Sequence, residues 1–167
     1  MSVLATVDVR SGLRPILREA VRADVPALVS LLAQDQLGAG RDGIENAADL
    51  RAYEAAFEEI DRDPAHLLVV AETDAHPVVG TMQLSFLPGL ARRGSRRAQI
   101  EAVRVAEAYR GQGLGSAMIG WALDEAVRRG CSLVQLTTDK KRADAHRFYE
   151  RLGFVSTHEG MKLRLVE

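Results

Sequence analysis

Apolar and polar positions change rhythm several times along this 167-residue chain, and each rhythm predicts an element. "LRPILREA" (13–20) reads as a strand. "DVPALVSLLAQ" after it reads as a helix, with Asp24 as its N-cap and Pro26 tolerated in the first turn. "LGAGRDG" breaks the chain, and a second helix follows, with Leu50, Tyr53, Phe57 and Ile60 on one side and Glu54, Glu58 and Glu59 on the other. "HLLVVAE" and "PVVGTMQLSFL" are strands joined at "TDAHP", with Gly80 a candidate bulge. "PGLARRGSRR" reads as a hairpin loop before the strand "AQIEAVRV". The next helix sets Leu114, Met118, Trp121 and Ala122 against Ser116, Gly120, Asp124 and Arg128, and closes at Gly130. A strand "SLVQLTT" and a helix over "DAHRFYERL" complete the series. Gly153 followed by Phe154 predicts a Schellman ending, and strand-like pieces follow around "FVS" and "MKLRLV".

The order β-α-α-β-β-β-α-β-α-β predicts a mixed α/β fold: a central, partly antiparallel sheet with helices on both faces. Residues 1–12 read as a flexible N-terminal extension and 13–167 as a single domain, for which this length is sufficient.

Composition narrows the function. The chain is 47% hydrophobic, enough for a core, and its formal net charge of −1 creates no field for nucleic acid or an anionic membrane. The loop arginines Arg92, Arg93, Arg96 and Arg97 lack the aromatic interleaving of a nucleic-acid surface; they read as a solvated loop or as a lid for an acidic ligand. No apolar run approaches the ~20 residues of a membrane span, and "MSVLATVDVRSG" lacks the pattern of a signal peptide, so a cytoplasmic location is expected. Cys131 alone excludes an intrachain disulfide and is expected to be buried and inert. His66, His76, His146 and His158 are scattered, which predicts no metal site.

The chemistry concentrates in "AYRGQGLGSAMIG". Gly111, Gly113 and Gly115 stand where a strand ends and a helix starts, although glycine inside an element costs about 0.5–1 kcal/mol relative to alanine. Strand, glycine turn and helix N-terminus together make an anion site: backbone N–H groups point outward, the helix dipole is positive there, and Arg110 adds a full charge. A P-loop would need a Gly-Lys-Ser/Thr ending, which is absent. A dinucleotide turn would need G-x-G-x-x-G where this chain has G-x-G-x-G, although Asp139 stands near the place of a ribose carboxylate.

"YRGQGLG" resembles the R/Q-x-x-G-x-G/A signature of the GNAT acetyltransferases, here Arg110-Gly111-Gln112-Gly113-Leu114-Gly115. "DAHRFYERLGF" is similar to that family's second signature, with Ala145, Phe148, Tyr149, Gly153 and Phe154 matching. One helix and one strand separate them, and the element order from residue 13 onward also fits. The resemblance implies an acetyl-CoA-dependent N-acetyltransferase whose central mixed sheet splays to admit the pantetheine arm between "IEAVRV" and "SLVQLTT". Backbone groups of Val103 and Val105 would face the pantetheine amides, and residues Arg110 to Ser116 would hold the pyrophosphate. Acetyl-CoA is the implied co-substrate, with no metal. A small-molecule amine is the expected acceptor, and homodimers are common in the family.

Acyl transfer to an amine poses two proton problems. An amine with the pKa of lysine, about 10.4, is neutral in roughly one molecule of 2,500 at pH 7, and the departing thiolate needs a proton of its own. The resemblance implies Tyr149 as the acid toward the CoA sulfur; by periodicity alone it is a core tyrosine on the face of Ala145, Phe148 and Leu152. Alternation in "QIEAVRV" puts Glu101 on the face of Val103 and Val105, where desolvation would favour its use as a base; the other reading is a solvated glutamate or a partner of Arg97. Arg142 stands where the family often has an asparagine on the pantetheine arm: it reaches a CoA phosphate, or that contact is lost. Asp42, Glu45 and Asp49 read as turn and helix-start residues or as an attraction for a cationic amine. The alternative function is a non-catalytic acetyl-CoA sensor or regulatory module.

Overall fold

The computed structural model of the protein describes residues 2–34 and 42–165; most of the "LGAGRDG" break lies outside the described residues. The chain forms two compact units, Met1–Gln135 and Leu136–Glu167. Six strands, β1 (Val3–Thr6), β2 (Ile16–Glu19), β3 (His66–Thr73), β4 (His76–Pro88), β5 (Arg96–Val105) and β6 (Cys131–Leu136), form one sheet in sequence order. The four pairings from β1 to β5 are antiparallel. Between β5 and β6, Ser132 Oγ donates to Arg96 O and Gln135 Nε2 to Gln99 Oε1, both across 36 residues. A constant offset is the signature of parallel strands, and helix α4 (Leu114–Arg128) supplies the long crossover that such a pair requires. The sheet is therefore mixed and open, as expected.

Helices cover both faces. On one, α1 (Val25–Ala33) and α2 (Ala47–Arg62) pack Val25, Leu28, Val29 and Phe57 around Val70 and Ala20. On the other, α4 buries Leu114, Met118, Ile119, Ala122 and Ala126; Trp121, expected on this stripe, is only half-buried. Gly80 pairs with Ala71 at the edge of a register shift between β3 and β4, and it is also a point of close approach. A Cβ there would lie 3.0 Å from Met118 Sδ and 3.2 Å from the Arg104 carbonyl.

Three other expectations change. Part of the presumed extension is β1, paired to β2 as an added edge strand. Asp24 precedes α1 but makes no capping bond to it. Its carboxylate instead takes both terminal nitrogens of the buried Arg18, at 2.7 and 3.0 Å, and the Val21 N–H at 2.8 Å. Arg18 also binds Glu72 and the Pro77 carbonyl, so one guanidinium ties β2 to the start of α1, to β3 and to β4. These bonds, led by the one to Asp24, raise the arginine's pKa and keep it cationic. Finally, "FVS" and the described part of "MKLRLV" form no strand.

Near the end of α4, burial opposes ionisation of Glu125, but bonds from Arg128 (2.6 and 2.8 Å) and Arg129 (2.7 Å) outweigh it and hold the carboxyl below its ordinary range. Arg129 also lies 4.2 Å from the centre of the Phe86 ring and donates to Pro64 O, anchoring the end of the helix to the sheet and to the start of β3.

Two measurements follow. Gly80→Ala should lower unfolding stability by about 1–3 kcal/mol, because the added methyl meets a backbone carbonyl as well as the mobile Met118 end. A carboxylate depressed in the folded state stabilises above its unfolded pKa, about 4.3, and loses that stabilisation as pH falls through the folded value. Glu125→Gln should therefore be less stable than the parent at pH 7, with the gap closing below about pH 4, as read by urea unfolding.

Candidate active site at the end of β5

After β5 the chain makes a short 3-10 turn (Glu107–Tyr109) and enters the glycine stretch. Gly111 (φ 73°) and Gly113 (φ 96°) occupy the left-handed region, which explains two of the three glycines; Gly115 is an ordinary helical position near the helix start. Gly113 is the N-cap of α4 and has no side chain to accept the first N–H groups, and the first turn holds no acid. The contrast with α2 is sharp. There Asn46 Oδ1 accepts from Ala48 and Asp49 at 2.7 and 3.2 Å, while Asp49 accepts from Glu45 and Asn46 at 3.0 and 3.2 Å. The start of α4 thus keeps its donors and the positive end of its dipole available for an anion.

The turn is braced from its own side chains. Arg110 Nε donates to Val105 O at 3.0 Å and Gln112 Nε2 to Ala108 O at 2.7 Å. Val103 O accepts Arg104 Nη1 at 2.8 Å, so both carbonyls expected beside the pantetheine already carry one arginine bond, with a second lone pair left on each.

Within β5 the register corrects the reading of Glu101. Thr81 pairs with Arg104 and Gln83 with Glu101, so three steps on β5 match two on β4. The extra residue makes a β-bulge, and Ala102 sits in it at φ 53°. Thr81 and Gln83 share a face, hence Glu101 and Arg104 share it too, the face covered by α1 and α2. Val103 and Val105 go with Gly80 and Met82 toward α4. Glu101 therefore does not share a face with the valines, and it is exposed. Regular alternation had assumed a strand without a bulge.

In the second unit, α5 (Ala143–Arg151) carries Tyr149. The helix ends as predicted: Phe154 N donates to Tyr149 O at 3.1 Å and Gly153 N to Glu150 O at 3.0 Å, with Gly153 at φ 88°. The apolar contact of this motif is the Phe154 ring against the Tyr149 ring, 5.7 Å between centroids, and Phe148 lies 5.0 Å from the same ring. Tyr149 is half-buried and held on two sides by aromatic edges. Arg142 is the N-cap of α5, its N–H on Asp139 O at 3.0 Å.

The remaining candidates are structural. Asp49 caps α2, and Asp42 accepts the Tyr53 hydroxyl at 3.3 Å. Arg92 and Arg93 sit at positive φ in the exposed turn α3 (Ala91–Gly94), while Arg96 and Arg97 belong to β5, Arg96 donating to Arg129 O at 3.2 Å. Cys131 is half-buried, and burial pushes its thiol up despite Arg96 and Arg129. Among the described residues no cluster of three or more His, Cys, Asp or Glu could hold a metal, and no helix is long and apolar enough to cross a membrane.

The sequence model of the Acetyltransferase (GNAT) family matches residues 30–154, three quarters of the chain and both glycine-containing segments described above. This chain belongs to that family. An aminoalkylphosphonate N-acetyltransferase from Salmonella typhimurium is 30% identical over 151 residues, covering 89% of this chain and 92% of the relative. The crystal structure of a protein described as a transcriptional regulator from Bacillus halodurans C-125 is 45% identical, with a TM-score of 0.85 over 90% of this chain and 99% of its own. A Trypanosoma brucei acetyltransferase structure is 27% identical, with a TM-score of 0.71 over 89% and 98%.

For an acetyltransferase of this family, the first signature falls on the glycine turn and the uncapped start of α4, and the second on the Schellman end of α5. The bulge in β5 was missed, because alanine carries no sequence signal for a positive φ. Ala102→Val should lower stability by about 1–2 kcal/mol, since a β-branched side chain is disfavoured in the left-handed region, whereas Ala102→Gly should stay near the parent. Urea unfolding of the two variants checks this.

Proposed function

We propose that this acetyltransferase moves the acetyl group of acetyl-CoA to the primary amine of a small molecule, by direct attack within a ternary complex. The observation that carries the reading is the glycine turn of β5 leading into an α4 N-terminus with no side-chain cap, beside Arg110. GNAT acetyltransferases use acetyl-CoA, whose diphosphate matches those donors. Arg110, Gly111, Gln112, Gly113, Leu114, Gly115 and Ser116 bind the diphosphate. Val103 and Val105 offer their backbone to the pantetheine amides, and Arg142 serves a CoA phosphate. In the transfer, the amine nitrogen bonds to the acetyl carbon and the carbon–sulfur bond breaks. Glu101, directly or through water, takes the proton from the nitrogen, its exposure on the α1–α2 face leaving it open to an incoming amine. Tyr149 gives a proton to the thiolate. The Salmonella relative acts, by its name, on an aminoalkylphosphonate, which supports a small acceptor. The sheet from β1 onward and the helices on it act as one catalytic domain, in the cytoplasm.

A second reading has its own support: the Bacillus halodurans relative is described as a transcriptional regulator. On that reading the chain binds acetyl-CoA without turning it over.

Thiol release from acetyl-CoA against a broad amine panel separates the two, with Cys131→Ser controlling for the protein's own thiol. Catalysis predicts turnover of at least one amine. It also predicts a loss of more than tenfold in kcat for Tyr149→Phe, above ~1.4 kcal/mol of barrier, at unchanged acetyl-CoA affinity. A silent panel with intact acetyl-CoA binding would favour the regulatory reading.

A further inference from the structure

The edge strand β1 leads into a hairpin whose tip does more than extend the sheet. Val7 N bonds Pro15 O, Val9 N bonds Leu13 O, and Gly12 (φ 81°) closes the turn onto Val9 O. At the tip, Arg10 N donates to Gln112 O at 3.0 Å, so the hairpin is docked by its backbone onto the glycine turn. The Arg10 side chain runs past the start of α4: a Cβ on Gly113 would stand 3.4 Å from its Cγ and 3.8 Å from its Cδ. The other side of the hairpin, Leu13 and Arg14, borders a cavity of about 520 Å³ that Tyr109 and His76 also line.

The hairpin's own acid is already paired. Asp8, the acid of the hairpin, is taken by Arg14 at 3.0 Å. Arg10 has no hydrogen bond or ion pair from its guanidinium among the described residues, and Arg110 spends its Nε on a carbonyl. The Arg10 side chain beside Gly113 and Arg110 within the turn thus both belong to the approach to the helix start, and neither is bonded to a carboxylate among the described residues. Both arginines are exposed to solvent, and the positive end of the helix dipole favours an anion there.

We propose that Arg10 is a cofactor-binding residue that places its guanidinium on the diphosphate of CoA, which makes the hairpin before β2 part of the cofactor site. The inference rests on the acetyl-CoA reading above, and it concerns a residue outside the family match at 30–154. An arginine gives a diphosphate a charged, multi-donor contact. Because the hairpin docks through the Arg10 backbone, replacing its side chain leaves that bond in place.

The test is calorimetric titration of CoA and NMR titration of pantetheine, which lacks every phosphate, against the parent, Arg10→Ala and Arg10→Lys. The expected result is CoA binding weakened about five- to tenfold in Arg10→Ala, partly restored in Arg10→Lys, with pantetheine unaffected and a shallower salt dependence for CoA. Unchanged CoA affinity in Arg10→Ala, with the parent binding CoA, overturns the role of Arg10 and leaves the acetyl-CoA reading standing. An equal loss for CoA and pantetheine overturns it too, because the side chain would then act only through the shape of the turn. A parent that binds no CoA removes both.

Discussion

β5 contains one residue more than β4 can pair, and which way the residues toward its end face depends on where that surplus is placed. Paired residues hold the strand on both sides, Gln83 with Glu101 and Thr81 with Arg104, so the extra length is absorbed at Ala102 and Val103. A left-handed alanine costs roughly 1–2 kcal/mol, and it persists because the flanking ladder leaves no other way to close the register. The consequence is a change of face. Upstream of the bulge, Ile100 points toward α4 and Glu101 away from it; downstream, the odd-numbered valines point toward α4. One strand thereby turns a carboxylate to the α1–α2 side while lining the other side with apolar groups.

α4 sets the geometry of the turn at that strand end. Its position is set by contacts far from the glycines: Met118 lies against Gly80, and Glu125, Arg128 and Arg129 lock the far end, with Arg129 stacked on Phe86. A rigid helix anchored along its length can leave its first turn without a side-chain cap, because packing rather than capping holds it. α2 shows the other solution. It is anchored through one buried residue, Phe57, and it carries a full set of capping bonds at Asn46 and Asp49.

In the unit that follows β6, α5 uses its own terminus to fix the residue of interest. The Schellman bonds at Gly153 and Phe154 are local, yet they bring the Phe154 ring against Tyr149, so the ending that stops the helix also orients its tyrosine. Stopping and positioning are one event there.

Local patterns in the sequence determined most of the elements, the mixed α/β class and both family signatures, because helical periodicity, glycine turns and Schellman endings depend on neighbours within a few positions. The positive-φ glycines at 111 and 113 and the end of α5 were legible for that reason. Tertiary structure alone decided the rest. Asp24 looks like a helix cap until Arg18 is folded against it, the close approach at Gly80 exists only once Met118 arrives, and the bulge in β5 falls on an alanine that nothing in the string marks. Arg10 looks like part of a loose leader until β1 pairs with β2 and brings it to Gln112. Each of these depends on which distant atoms share a space, and a one-dimensional pattern carries no record of that.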